Sequence, residues 1–99
     1  MRTPEDRRAH LRHRVEYWSE RLKAVPRIVR IQRMTRKWGS CSTSGVISLA
    51  EDLVHQEACF QDFVIVHELL HLKVPNHGRV FKALMTAYVP GWREMDILR

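Results

Sequence analysis

Two histidines four residues apart stand in the segment His67-Glu68-Leu69-Leu70-His71. On a helix, positions i and i+4 share one face a single turn apart, so both imidazoles can converge on one ion. Glu68 lies beside them, where its carboxylate reaches a water on the ion instead of the ion itself, as a general base must. Three protein ligands with a fourth position left open distinguish a catalytic metal site from a closed structural one. His77, six residues beyond His71, is the natural third ligand, because Pro75-Asn76 breaks the helix and lets the chain turn back. Zn²⁺ suits three imidazoles, as do Ni²⁺, Co²⁺ and Cu²⁺. The chemistry of such a set is hydrolysis of an amide by activated water. The competing reading makes His67 and His71 helix histidines satisfied by their neighbours and His77 a surface residue. The uncharged flanks Phe63-Val64-Ile65-Val66 and Leu69-Leu70 weigh against it, since they allow the helix to be buried around the two histidines.

The elements that must position these residues are legible in outline. Thr3 is a helix cap, with Pro4 at the first position and Asp6 at the third, and Leu11, Val15, Trp18 and Leu22 then form one apolar stripe up to a stop at Pro26. Arg7, Arg8, Arg12, Arg14 and Arg21 give that helix a basic face turned to water or a partner. Residues 27–34 are β-branched and alternating, and shorter runs near 36–41 and 46–49 flank Ser42-Thr43-Ser44-Gly45, so a small antiparallel sheet with one hairpin is expected. A helix from Gln61 to Pro75 carries the histidine pair. A last helix over about 76–88 offers Val80, Phe81, Leu84 and Met85 before Pro90-Gly91 ends it. Strands segregated from helices predict an α+β fold.

Composition bounds the rest. The 99 residues suffice for one domain and one core. Hydrophobic residues are 44% and charged residues 28%, which excludes a disordered chain, and no apolar run approaches the roughly 20 residues that span a bilayer. The first residues are charged and carry no apolar signal segment, and Cys41 and Cys59 have no ligand-like spacing, so free thiols and a cytoplasmic address are expected. Residues 1–37 carry 12 basic and 4 acidic side chains, net +8, and residues 38–99 carry 5 and 7, net −2. Such asymmetry attracts polyanions or simply solvates a helix and a strand.

The segments Arg36, Trp38-Gly39-Ser40-Cys41-Ser42, then His67-Glu68-Leu69-Leu70-His71, then Asn76-His77 and Phe81, taken in this order, resemble the YgjP-like group of small zincin metallopeptidases over about Ile28 to Trp92. The resemblance implies a minimal zincin fold in which His67, His71 and His77 hold zinc and Glu68 is the base. The length gives one domain over 1–99, a basic amphipathic helix in 1–25 preceding the family-like region 26–92. Ala50 and Lys82 stand where the family usually has Asn and Trp, departures that bear on substrate contacts and leave the metal residues intact. The spacing from His67 to His77 also matches metzincin proteases, but Val74 replaces their glycine and no Met-turn is present.

Trp38-Gly39-Ser40-Cys41 reads in two ways. It is an edge strand that pairs with an extended peptide, Gly39 allowing close approach, or Trp38 is core and Gly39 a bulge. Cys41 has no histidine beside it in sequence and is not read as a nucleophile. Arg79, Tyr88 and His55 could each stabilise an oxyanion. Two functions compete on this evidence. The first is a zinc peptidase acting on peptides or proteins, with no membrane partner. The second is a metal-stapled module binding nucleic acid or another polyanion through the basic N-terminal region, for which a carboxylate at Glu68 has no use. The two combine if the helix delivers a protease to nucleoprotein, a layout similar to that of SprT-like proteases.

Overall fold

A computed structural model describes residues 3–97. The first helix, α1 (Pro4–Leu22), opens with a full capping box. The Asp6 amide donates to Thr3 Oγ1 and the Thr3 amide donates to Asp6 Oδ2, each at 3.1 Å, which satisfies two donors that the helix itself leaves unpaired. Leu11, Val15, Trp18 and Leu22 are buried, as the stripe requires. The helix closes before Pro26, because Lys23 takes the left-handed conformation (φ 55°) and its amide reaches back to the Ser19 carbonyl.

The basic face of α1 is partly spent inside the molecule. Arg8 pairs with Glu51, and Arg14 donates to Asp62 Oδ1 at 2.8 Å. The Trp18 indole N–H donates to the same oxygen at 2.9 Å, and Arg12 donates to the Val29 carbonyl at 3.0 Å. The expectation that this face is turned to water or a partner holds for the exposed Arg12 and is modified for Arg8 and Arg14, whose heads end on carboxylates of the body.

The three strands are β1 (Ile28–Gln32), β2 (Gly39–Cys41) and β3 (Val46–Ala50), in the order β1-β3-β2. β2 and β3 form the expected antiparallel hairpin, with Gly39 opposite Leu49 and Cys41 opposite Ile47. Its loop turns through Gly45, whose φ of 87° a side chain would strain. β1 instead runs parallel to β3, with Ile28 opposite Val46 and Gln32 opposite Ala50, so the sheet is mixed and not wholly antiparallel. The reason lies in β3, whose residues Ile47 to Ala50 are all buried and which takes the centre of the sheet. Residues 33–38 carry the chain from one side of β3 to the other, leaving β2 as the second edge.

A 3₁₀ turn (Glu51–His55) leads to α2 (Ala58–Leu70). Beyond Asp62 every residue of α2 is buried, and the helix packs against α1, β2, β3 and the two helices that follow. It begins three residues before Gln61 and ends at Leu70, so His71 is its cap and not an interior position. Next come α3 (Arg79–Tyr88), which buries Phe81 and Met85, and α4 (Trp92–Ile97), which buries Trp92. The expected start of α3 near residue 76 is displaced to Arg79, because Asn76 Oδ1 instead caps the turn by accepting the Gly78 amide at 3.0 Å. Among the described residues the fold is α+β, with four helices and a three-stranded sheet, and α2 packs against α1, β2, β3, α3 and α4.

Asp62 joins α2 to α1 through two donors, and Asp62→Ala leaves both the guanidinium and the indole without an acceptor. The variant is expected to lose about 1.5–3 kcal/mol of stability in urea-induced unfolding, the range for hydrogen bonds to a charged group.

Candidate metal centre

His67 occupies the last full turn of α2, His71 caps it, and His77 lies in the turn before α3. One donor atom from each of the three rings falls within 4.8 Å of the others. Nε2 of His77 and Nε2 of His71 are 2.9 Å apart. An ion at about 2.0–2.1 Å from each nitrogen holds tetrahedral donors roughly 3.3 Å from one another, so this set closes on an ion with small side-chain movements. Three neutral nitrogen donors fit a borderline-soft divalent ion. The ring of His71 is fixed from behind, since its Nδ1 lies 3.3 Å from the Val74 carbonyl. An N–H there leaves Nε2 as the lone-pair donor. Burial, then the neighbouring His67, holds the pKa of His71 below the ordinary histidine range, favouring the neutral form that ligates a metal.

The carboxylate stands next to this set. Glu68 is 3% and His67 5% exposed, and Glu68 Oε2 lies 3.1 Å from His67 Nδ1. Room for Glu68 is made by Gly39 on β2, where a Cβ would stand 3.1 Å from Glu68 Cγ, 3.1 Å from Val64 and 3.3 Å from Leu49. The bulge reading fails, since Gly39 keeps regular ladder register opposite Leu49, and the close approach it permits here is to Glu68 and Val64 of α2. Trp38 is half-buried, its ring edge-on to Phe60 at 5.6 Å.

Phe81 is the residue whose part in the site its spacing did not disclose. It is 1% exposed and meets all three imidazoles, stacked on His71 at 4.7 Å and edge-on to His67 and His77 at 5.3 and 4.8 Å. Its place in the stripe of α3 marks it as core, and only the return of the chain at Pro75-Asn76 brings it under the histidines.

The three histidines and Glu68 open into a cleft of about 370 Å³ walled by Gly39, Cys41, Ser42 and Thr43 on one side and Pro75 on the other. Cys41 carries a thiol whose pKa is pushed up by burial and by the Glu68 charge, which keeps it protonated and unreactive. Both cysteines are free. Arg79, Tyr88 and His55 are exposed and do not line the cleft; Tyr88 packs edge-on to Trp18 at 6.4 Å.

The family model for the YgjP-like metallopeptidase domain matches residues 4–97. The chain belongs to the YgjP-like family. The match reaches beyond the resemblance in 28–92 and takes in α1. As a YgjP-like metallopeptidase domain it is a metal-dependent peptidase, with peptides or proteins as substrates. The fold is shared with two crystal structures of metallopeptidase zymogens. One is jannalysin of Methanocaldococcus jannaschii (TM-score 0.74, 22% identity, covering 88% of this chain and 90% of that one). The other is abylysin of Pyrococcus abyssi (TM-score 0.74, 23% identity, covering 86% and 87%). Comparison with curated proteins finds no match. Among the described residues no helix is long and apolar enough to cross a membrane.

Two substitutions test how the YgjP-like site is held. Phe81→Ala removes the common wall of the imidazoles and is expected to cost about 3–5 kcal/mol in thermal or urea unfolding, whereas Phe81→Leu costs less than half as much. Gly39→Ala forces a methyl against Glu68 and Val64. It is expected to lower peptidase turnover at least tenfold while lowering stability by about 1–3 kcal/mol, read by kinetics and unfolding on the same preparation.

Proposed function

We propose that this domain is a zinc peptidase in which His67, His71 and His77 hold the ion and Glu68 is the general base. The observation that carries the reading is the convergence of three imidazole donors within 4.8 Å beside a buried carboxylate at the floor of an open cleft. When bound, zinc lowers the pKa of a water toward about 7 and polarises the carbonyl of the scissile amide. Glu68 takes the proton of the attacking water at its carboxylate and hands it to the leaving amine nitrogen, which must depart neutral. The Val74 carbonyl keeps the His71 ring oriented, and Phe81 keeps all three rings from rotating away. β2 has one side free because it is the sheet edge, and the substrate backbone pairs there as an added strand beside Gly39.

The whole of 1–99 acts as one domain on this reading. The two free thiols fit a reducing compartment, and we place the domain in the cytoplasm. Recruitment to nucleic acid through α1 is not part of the proposal, because Arg8, Arg12 and Arg14 are engaged within the molecule.

Elemental analysis of the purified protein is expected to find about one zinc per chain, lost in His67→Ala and in His77→Ala. Glu68→Gln is expected to keep the zinc and lose about 10²–10⁴-fold in peptide turnover. Zinc retained in His77→Ala overturns the ligand set, and turnover retained in Glu68→Gln overturns the base.

A further inference from the structure

The segment that carries the chain across the sheet, residues 33–38, builds a second cavity of about 360 Å³ lined by Arg33, Arg36, Lys37 and Trp38, with Asp52 as its carboxylate. Three cations therefore share one acidic neighbour. None of the three is ion-paired among the described residues, in contrast to Arg8 and Arg14 on α1. Trp38 lines the cavity and packs on Phe60, and the next residue, Gly39, lines the cleft with His67 and Glu68. The cationic cavity therefore lies just beyond the amino-terminal end of β2, and the cleft begins at Gly39, where the strand starts.

A peptide paired with β2 advances about 3.3 Å per residue. The chain bends at Thr35, Arg36 and Trp38, so the cationic side chains gather beyond the start of β2, and a peptide that runs on past Gly39 carries side chains a few positions from the bond beside Glu68 toward them. Resting on the peptidase reading above, we propose that this cavity is a specificity subsite that takes a carboxylate side chain, aspartate or glutamate, of the substrate. Guanidinium groups suit it, since their planar donors meet a carboxylate two at a time. The extent of the patch favours a peptide over a nucleic acid. A phosphate backbone needs a track of cations, and two of the α1 arginines, Arg8 and Arg14, are neutralised by Glu51 and Asp62.

The test uses the full chain carrying Glu68→Gln and loaded with zinc, so that peptides bind without being cut. Fluorescent peptides carry two Glu residues three and four positions to the amino side of the central bond, or to its carboxyl side, each beside a counterpart with Gln. In anisotropy titrations the Glu peptide of one pair is expected to bind about five- to tenfold more tightly at low salt, with the difference shrinking at high salt. The further change Arg33→Gln, Arg36→Gln and Lys37→Gln is expected to abolish the difference and leave the Gln peptide within about twofold. These residues are exposed and unpaired, so the fold survives, as circular dichroism checks. Equal affinity for Glu and Gln peptides in both pairs overturns the proposal, as does a preference that outlasts the triple substitution. A short single-stranded oligonucleotide that binds more tightly than the Glu peptides and is lost in the triple variant also overturns it, in favour of nucleic acid. Turnover of the Gln peptides by the zinc-loaded parent reports separately on the peptidase reading. Its absence with the Glu preference intact removes that reading and leaves an acidic-peptide site, and its presence without the preference removes only the subsite.

Discussion

Everything in this molecule is arranged around the need to bury an imidazole and a carboxylate at consecutive positions of one helix. His67 and Glu68 are nearly inaccessible, and their neighbours Val66, Leu69 and Leu70 are fully apolar. Such groups are costly to remove from water unless they meet each other or another polar partner. Here His67 Nδ1 and Glu68 Oε2 lie within hydrogen-bonding distance, so each offsets part of the cost of the other. The apolar residues of α2 need cover on all sides, and α1, the sheet, α3 and α4 supply it. The helix is exposed at its first turn, at Ala58 and Cys59, and at its far end the polar pair borders the cleft.

Holding the site then falls to residues that contribute no chemistry. Gly39 lets the backbone of β2 approach Glu68 more closely than any side chain would permit. Phe81 reaches from α3 to touch three rings at once, and the Val74 carbonyl sets the orientation of one of them. On the proposed ligand set, an ion would join α2 to the turn before α3, so affinity for the ion would be in part stability of the fold.

How much of this the sequence discloses depends on the length over which a pattern runs. The cap at Thr3, the stripe Leu11-Val15-Trp18-Leu22 and the His67-Glu68-His71 pattern each rest on local spacing, and each appears in the structure where it was read. The parallel pairing of β1 with β3 escaped, because strand order depends on which strand is most buried and not on any neighbouring residues. The turn at Glu51–His55 and the helix Trp92–Ile97 are too short to show a period. The partners of the α1 arginines are far away in the chain, at Glu51 and Asp62, so charge counting alone left that face to solvent. His77 was reachable because a proline marks the turn that returns it. The contact of Phe81 with all three rings was not, since it arises only when two helices meet.

The edge strand β2 is three residues long. A strand that short offers a visiting chain only a few main-chain hydrogen bonds, which makes it a poor template for uncontrolled pairing between copies of the protein. The same brevity leaves the polypeptide backbone, which is common to all proteins, with little say in what is held there. Where substrates pair with β2 as proposed, discrimination passes to the side chains that flank the strand, and selection rests on composition at a few positions beyond the reach of β2.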